Sequence, residues 1–162
     1  MKKIILFSAF ALSIISVNAQ LKTTVVCPPI TVNILKGRVN EQLSLIATAA
    51  QIKAALPCFT DDAVASTKCG GAVFYKDKDI YFYPARNYVE IGEKFKGKLS
   101  IPLMGAARNG VFKWLGNPLL KDVNWDVYTT EYGILILYFN KANKVNKIQY
   151  STQGTNTIQL CE

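Results

Sequence analysis

The stretch from Gly105 to Gln153 restricts this chain more than any other. It runs a short apolar helical pattern, Gly110-Val-Phe-Lys-Trp-Leu-Gly116, breaks at Gly116-Asn-Pro118, and continues as three strand-like runs ending near Ser151. Glycine and proline end regular elements, so the break separates helix from strands. A weaker copy lies between Leu45 and Gly92. Ile52, Ala55 and Leu56 recur as Val111, Trp114 and Leu115 at an offset of 59, and Asn87 and Val89 recur as Asn143 and Val145 at an offset of 56. The fold expected is α+β, with two tandem units of a short helix followed by an antiparallel β-meander. A unit of about 50 residues buries too little surface alone, so the two sheets are expected to be joined or packed together.

Residues 1–19 read as a signal peptide. Lys2 and Lys3 precede an apolar run from Ile4 to Val17, and Val17-Asn18-Ala19 supplies the small residues of a cleavage site, placing the cut between Ala19 and Gln20. No cysteine stands at the cut, and the longest later apolar run, Gly133 to Phe139, is strand-sized, so stable membrane insertion is not expected. The expected product is an exported monomer, periplasmic or secreted.

Residues 20–40 form an extended lead-in, where Thr23 to Val26 and Ile30 to Leu35 are strand candidates around Cys27-Pro28-Pro29. The first unit spans 41–93. Thr48-Ala-Ala-Gln51 has the capping-box pattern, the apolar stripe of Ile52, Ala55 and Leu56 follows, and Pro57 stops the helix. The strand runs are Ala72 to Tyr75, Ile80 to Tyr83 and Tyr88 to Ile91. Gly92 to Ser100, rich in glycine and lysine, is a connector. The second unit spans 101–162, with strands at Trp125 to Thr129, Ile134 to Phe139 and Lys144 to Ser151, and Thr155 to Leu160 as a candidate closing strand.

The chain carries 19 Lys and Arg against 11 Asp and Glu, a net charge of +8. The charge is scattered over turns and strand ends, with one cluster at Lys94, Lys96 and Lys98, which is the pattern of a solvated surface and not of a nucleic-acid footprint. Four cysteines suit an oxidising compartment and allow three pairings. The pairing expected is Cys58 with Cys69, closing a loop between helix and first strand, and Cys27 with Cys161, tying the chain ends.

Catalysis is not expected. The chain has no histidine, so the commonest general base is missing. The close carboxylate pairs, Asp61 with Asp62 and Asp77 with Asp79, sit in turns beside lysine, glycine or threonine. They offer too few oxygens for calcium, and the cysteines lack the spacing of a zinc site. No cofactor and no metal follow from these residues.

Met104-Gly-Ala-Ala-Arg-Asn-Gly-Val-Phe-Lys-Trp-Leu-Gly-Asn-Pro118, Ile134-Leu-Ile-Leu-Tyr-Phe-Asn140 and Lys144-Val-Asn-Lys-Ile148 resemble the unit of the outer-membrane assembly lipoprotein BamE (the SmpA/OmlA family) and of the β-lactamase inhibitory protein. The resemblance implies a short helix ahead of strands, two such units in tandem, a concave sheet, and a disulfide in the helix-to-strand loop, which the Cys58 and Cys69 spacing matches. Unit one departs from the pattern, reading Leu56-Pro57 in place of Leu-Gly-x-Pro, and unit two has no cysteine pair in its loop.

Aromatic residues concentrate in the strand runs. Helices on one side cover only one face of a sheet, yet Ile80 to Tyr83 and Ile134 to Phe139 are apolar on both. A face rich in tyrosine and tryptophan is suited to docking a protein. The resemblance implies that Phe139 points to the helix, so Tyr138 and Ile136 face outward, and the offset of 56 carries Phe82 and Ile80 with them. Tyrosine polarity points instead to Tyr81 and Tyr83; the alignment is followed here. The expected anchors are Tyr75, Phe82, Trp125, Tyr128 and Tyr138, in a non-catalytic, inhibitor-like or immunity-like module with a protein partner. A structural component of envelope assembly and a small-molecule carrier are the alternatives.

Overall fold

The computed structural model describes residues 26–63 and 68–161. The expected leader of residues 1–19 and the Thr23–Val25 part of the first candidate strand lie outside them. In chain order the elements are Thr31–Asn33 (β1), Arg38–Val39 (β2), Leu43–Ser44 (β3), Ala49–Ala55 (α1), Asp61–Asp62 (β4), Val73–Tyr75 (β5), Ile80–Tyr83 (β6), Tyr88–Ile91 (β7), Lys98–Leu99 (β8), Phe112–Leu115 (α2), Leu120–Lys121 (β9), Trp125–Thr130 (β10), Gly133–Phe139 (β11) and Val145–Ser151 (β12). Over the described residues the molecule is a sheet-dominated α+β protein with two short α-helices. None of the described helices is long and apolar enough to cross a membrane.

Aromatic and branched side chains make the long strands, because they fit a pleated, half-buried surface. They assemble into one eight-stranded sheet of order β4-β5-β6-β7-β12-β11-β10-β9, antiparallel throughout. The seam between the earlier and later strands is the β7/β12 pair, where Ile91 faces Ile148 and Val89 faces Tyr150. A row of fully buried side chains crosses that seam, from Ile80 through Ile91 and Ile148 to Leu137.

The inner face of this sheet packs against α1, α2 and a second, four-stranded sheet of order β3-β2-β1-β8. The lead-in is therefore part of the body: β1 pairs antiparallel with β2 and parallel with β8, and Val32 and Ile34 are buried. Gly92 to Ser100 is tied down as well, since Lys98 N–H donates to the Ile30 carbonyl and Ser100 N–H to that of Val32. Tyr132 joins the two sheets by donating its hydroxyl to the Ile34 carbonyl at 2.8 Å.

Helix α1 starts as the sequence predicts. The Thr48 hydroxyl accepts from Gln51 N–H, and the Gln51 side chain accepts from Thr48 N–H, completing a capping box. Ile52 and Leu56 face the core, and proline at 57 restricts residue 56 to a non-helical backbone. Helix α2 is a single turn that follows a 3-10 turn at Arg108–Gly110, with Val111 buried and Trp114 and Leu115 against the core. Thr155 to Leu160 makes turns in place of the expected closing strand.

The disulfide pairing is corrected. Cys27 bonds Cys58 and Cys69 bonds Cys161, with Cα separations of 5.5 and 5.7 Å, inside the range a disulfide spans. The lead-in runs beside the end of α1, so Cys27, Ile30, Leu56 and Cys58 border one small hollow. Arg86 holds the other pair together: it donates to the Lys68 carbonyl and to Gln159 Oε1, which brings Cys69 to the C-terminal tail. Two disulfides fit an extracytoplasmic location.

Candidate binding face

Strand alternation decides which side chains leave the core. Tyr75, Phe82 and Tyr128 do not: all three belong to the buried inner layer, at 2 %, 3 % and 3 % exposure. Tyr75 donates to the Leu56 carbonyl and packs edge-on against Phe82, while Tyr128 donates to Asp126. Of the five expected anchors, Trp125 and Tyr138 reach the outer face, where they pack around Val127, Ile134, Ile136 and Ile158.

The error at Phe82 is one of register. Asn87 and Asn143 do stand alike, both with left-handed backbone at φ 51° and 54°. Yet Ile80 pairs with Ile91 as Leu137 pairs with Ile148, and Phe82 pairs with Val89 as Phe139 pairs with Val145. The position matching Phe82 is thus Phe139, in the core, and the one matching Tyr138 is Tyr81. Residues 83–88 separate Phe82 from its partner Val89, one more than the 140–144 that separate Phe139 from Val145, and one residue turns every side chain to the other face. Tyrosine polarity was the signal that located Tyr81 and Tyr83 correctly.

The outer face has three zones. On β5, β6 and β7, Phe74 meets Tyr81 and Tyr83 edge-on at 5.9 Å each, and Tyr83 stacks on Tyr88 at 4.4 Å. Tyr81 donates to Asp79. Burial, with the Glu90 charge adding to it, pushes the Tyr83 hydroxyl up to about 12. At the centre, Tyr138 donates to Gln149 Oε1 at 2.7 Å and Gln149 Nε2 donates to Glu90 at 2.6 Å, so the polar seam is internally satisfied. Beyond it lies an apolar groove of about 520 Å³, bordered by Trp125, Ile136 and Tyr138 on the sheet and by Thr155, Ile158 and Leu160 on the tail. The tail is anchored by the Cys69–Cys161 disulfide and by Cys161 N–H, which donates to Tyr88 Oη at 2.8 Å.

The inner end of the second half holds a different hollow of about 590 Å³, with Arg108, Asp126 and Tyr128 at its base. Arg108 is saturated: it grips both Asp126 oxygens and donates to the carbonyls of Asp122 and Val123. That arrangement holds structure together. The paired carboxylates on the sheet edge, Asp61 and Asp62, are in ion pairs with Lys76 and Lys53. Among the described residues no cluster of three or more His, Cys, Asp or Glu side chains is placed to hold a metal ion.

These features define an α+β protein whose extended sheet presents an aromatic and apolar face away from its core. No protein-family model, no curated protein and no solved structure matches the chain.

Proposed function

We propose that this protein is an exported, non-catalytic binding module, inhibitor-like or immunity-like, that docks a partner protein on the outer face of its eight-stranded sheet. The observation that carries the reading is the row of half-buried rings, Phe74, Tyr81 and Tyr83 on one side of the seam and Trp125 and Tyr138 on the other, on the face opposite the core. Rings of this kind bring large contact area with little loss of side-chain freedom. The tandem-unit origin belongs to the same proposal: the strand order reads as two four-stranded halves joined back to back, β4 to β7 against β9 to β12. That arrangement agrees with the resemblance to the β-lactamase inhibitory protein and BamE. The leader of residues 1–19 accounts for export and for the disulfides.

The test is capture of partner proteins from envelope and extracellular fractions by immobilised wild-type protein and by a Tyr81→Ser/Tyr83→Ser variant. The variant is expected to keep its circular dichroism spectrum and lose the partner. Capture unchanged by that pair of substitutions, and by Trp125→Ala, would remove the outer face from consideration.

A further inference from the structure

We propose that the free edge of β9 is the docking site for an extended segment of the partner protein, which adds a strand to the sheet and drops alternate side chains into the hollows on its two sides. This rests on the protein-binding reading above and names the chemistry of the partner. The eight-stranded sheet has two edges, and they are built differently. At β4 the edge residues are Asp61 and Asp62, each ion-paired to a lysine, a charged guard of the kind that keeps sheet edges from pairing. At β9 the edge is Leu120–Lys121, paired to β10 on one side and to no strand on the other among the described residues. Its surroundings are apolar and exposed: Phe112 at 57 %, Leu119 at 57 %, Leu120 at 44 % and Val123 at 79 %. These four are half of the large exposed hydrophobic side chains among the described residues.

Two hollows flank this edge, one on each face. Leu120 borders the apolar groove of about 520 Å³ together with Trp125 and Leu160, and among the described residues no charged side chain lines it. Lys121 borders the hollow of about 590 Å³ on the inner side, with Asn109, Asn117 and Phe112. A strand laid along β9 points successive side chains to opposite faces. One set therefore enters an apolar groove and the other a polar hollow. Arg108 and Asp126 neutralise each other at the base of that hollow, so Lys121 sets its charge. The segment that fits alternates apolar residues with polar or acidic ones, and backbone pairing supplies affinity while the hollows supply selectivity. A second copy of this chain fits less well, because two-fold pairing of β9 centred on Lys121 opposes the two ammonium groups.

The experiment uses the disulfide-bonded protein and a capped peptide of sequence Val-Glu-Val-Thr-Val-Glu, followed by tryptophan fluorescence and amide hydrogen exchange. Saturable binding that slows exchange at Leu119–Asp122 is expected, weakened about ten-fold or more when alternate peptide amides are N-methylated. Lys121→Pro, which removes an edge donor, and Leu120→Glu, which charges the groove, should weaken it equally; using both keeps the test valid if one variant misfolds. No binding, equal binding of the N-methylated peptide, or binding unchanged in both variants overturns the proposal. So does a concentration-dependent dimer abolished by Leu120→Glu, which would make a second copy the occupant. If the peptide fails while Tyr81→Ser/Tyr83→Ser still abolishes partner capture, the edge is wrong and the outer face stands.

Discussion

Arg108 meets both carboxylate oxygens of Asp126, at 3.0 Å from Nε to Oδ2 and 2.5 Å from Nη2 to Oδ1. The guanidinium also lies 4.7 Å from the centre of the Phe139 ring and binds the carbonyls of the β9–β10 hairpin. One side chain thus fastens the 3-10 turn ahead of α2 to the last hairpin of the sheet. Asp126 is 2 % exposed, so removing its partner strands a charge in the interior. Arg108→Met is expected to cost about 3 to 5 kcal/mol in urea unfolding. An Arg108→Met/Asp126→Leu double variant should recover most of that loss, and a double variant no better than the single would show that the ion pair is not the reason.

Gly37 sits at φ +59° with the Tyr132 ring where a side chain would be, 2.7 Å from the position of an added Cβ. Alanine there strains the backbone and pushes away the ring that joins the two sheets. Gly37→Ala should destabilise by more than about 1 kcal/mol, read as a lowered thermal midpoint. An unchanged midpoint would contradict the close approach.

Tyr150 is fully buried between the sheets, edge-on to Tyr132 at 6.1 Å, and its hydroxyl finds no hydrogen-bond partner among the described residues. Burying a lone hydroxyl is unfavourable, so Tyr150→Phe should raise stability by about 1 kcal/mol. A loss of similar size would mean that the hydroxyl is satisfied.

Alkaline pH should unfold the protein through its tyrosines. Burial pushes Tyr75, Tyr83 and Tyr128 up to about 12 from the ordinary 10. The folded state therefore keeps protons that the unfolded state has released. Stability is expected to be flat below pH 9 and to fall between about pH 10 and 12. Absorbance at 295 nm should show a fraction of the tyrosines ionising late and together with unfolding. Titration of all of them near 10 in the folded protein would contradict this burial.

The tail over the outer groove has few backbone bonds of its own and depends on Cys69–Cys161. Cys69→Ser/Cys161→Ser should lower stability by about 4 to 5 kcal/mol on loop-entropy grounds. Amides of residues 158–161 should exchange faster than those of β12. Equal protection in both would assign the tail to the cooperative core.

Local chemistry was easy to read from the chain. Thr48 and Gln51 announce a helix start wherever they lie, and Val, Ile and Tyr runs announce strands, so α1 and the six long strands follow from neighbours in sequence. What escaped depends on contacts between distant segments. Cys27 finds Cys58 because β1 enters the body beside α1, a pairing with β8 that no local pattern reports. Phe82 was turned to the wrong face because a single additional residue in a connection is invisible in the match of Asn87 with Asn143. Tyr138 reaches the outer face as expected because Phe139 does point to the core, and Trp125 shares that face as its direct cross-strand partner.

The seam of β7 with β12 has a temporal meaning. As the chain is made, β5, β6 and β7 are ready early, yet β7 keeps an open apolar edge until β12 arrives, and Cys69 waits in the same way for Cys161. The sheet cannot close piecemeal. A chain that lacks β12 carries a raw hydrophobic border along β7, so arrival of β12 is the checkpoint for a sound sheet.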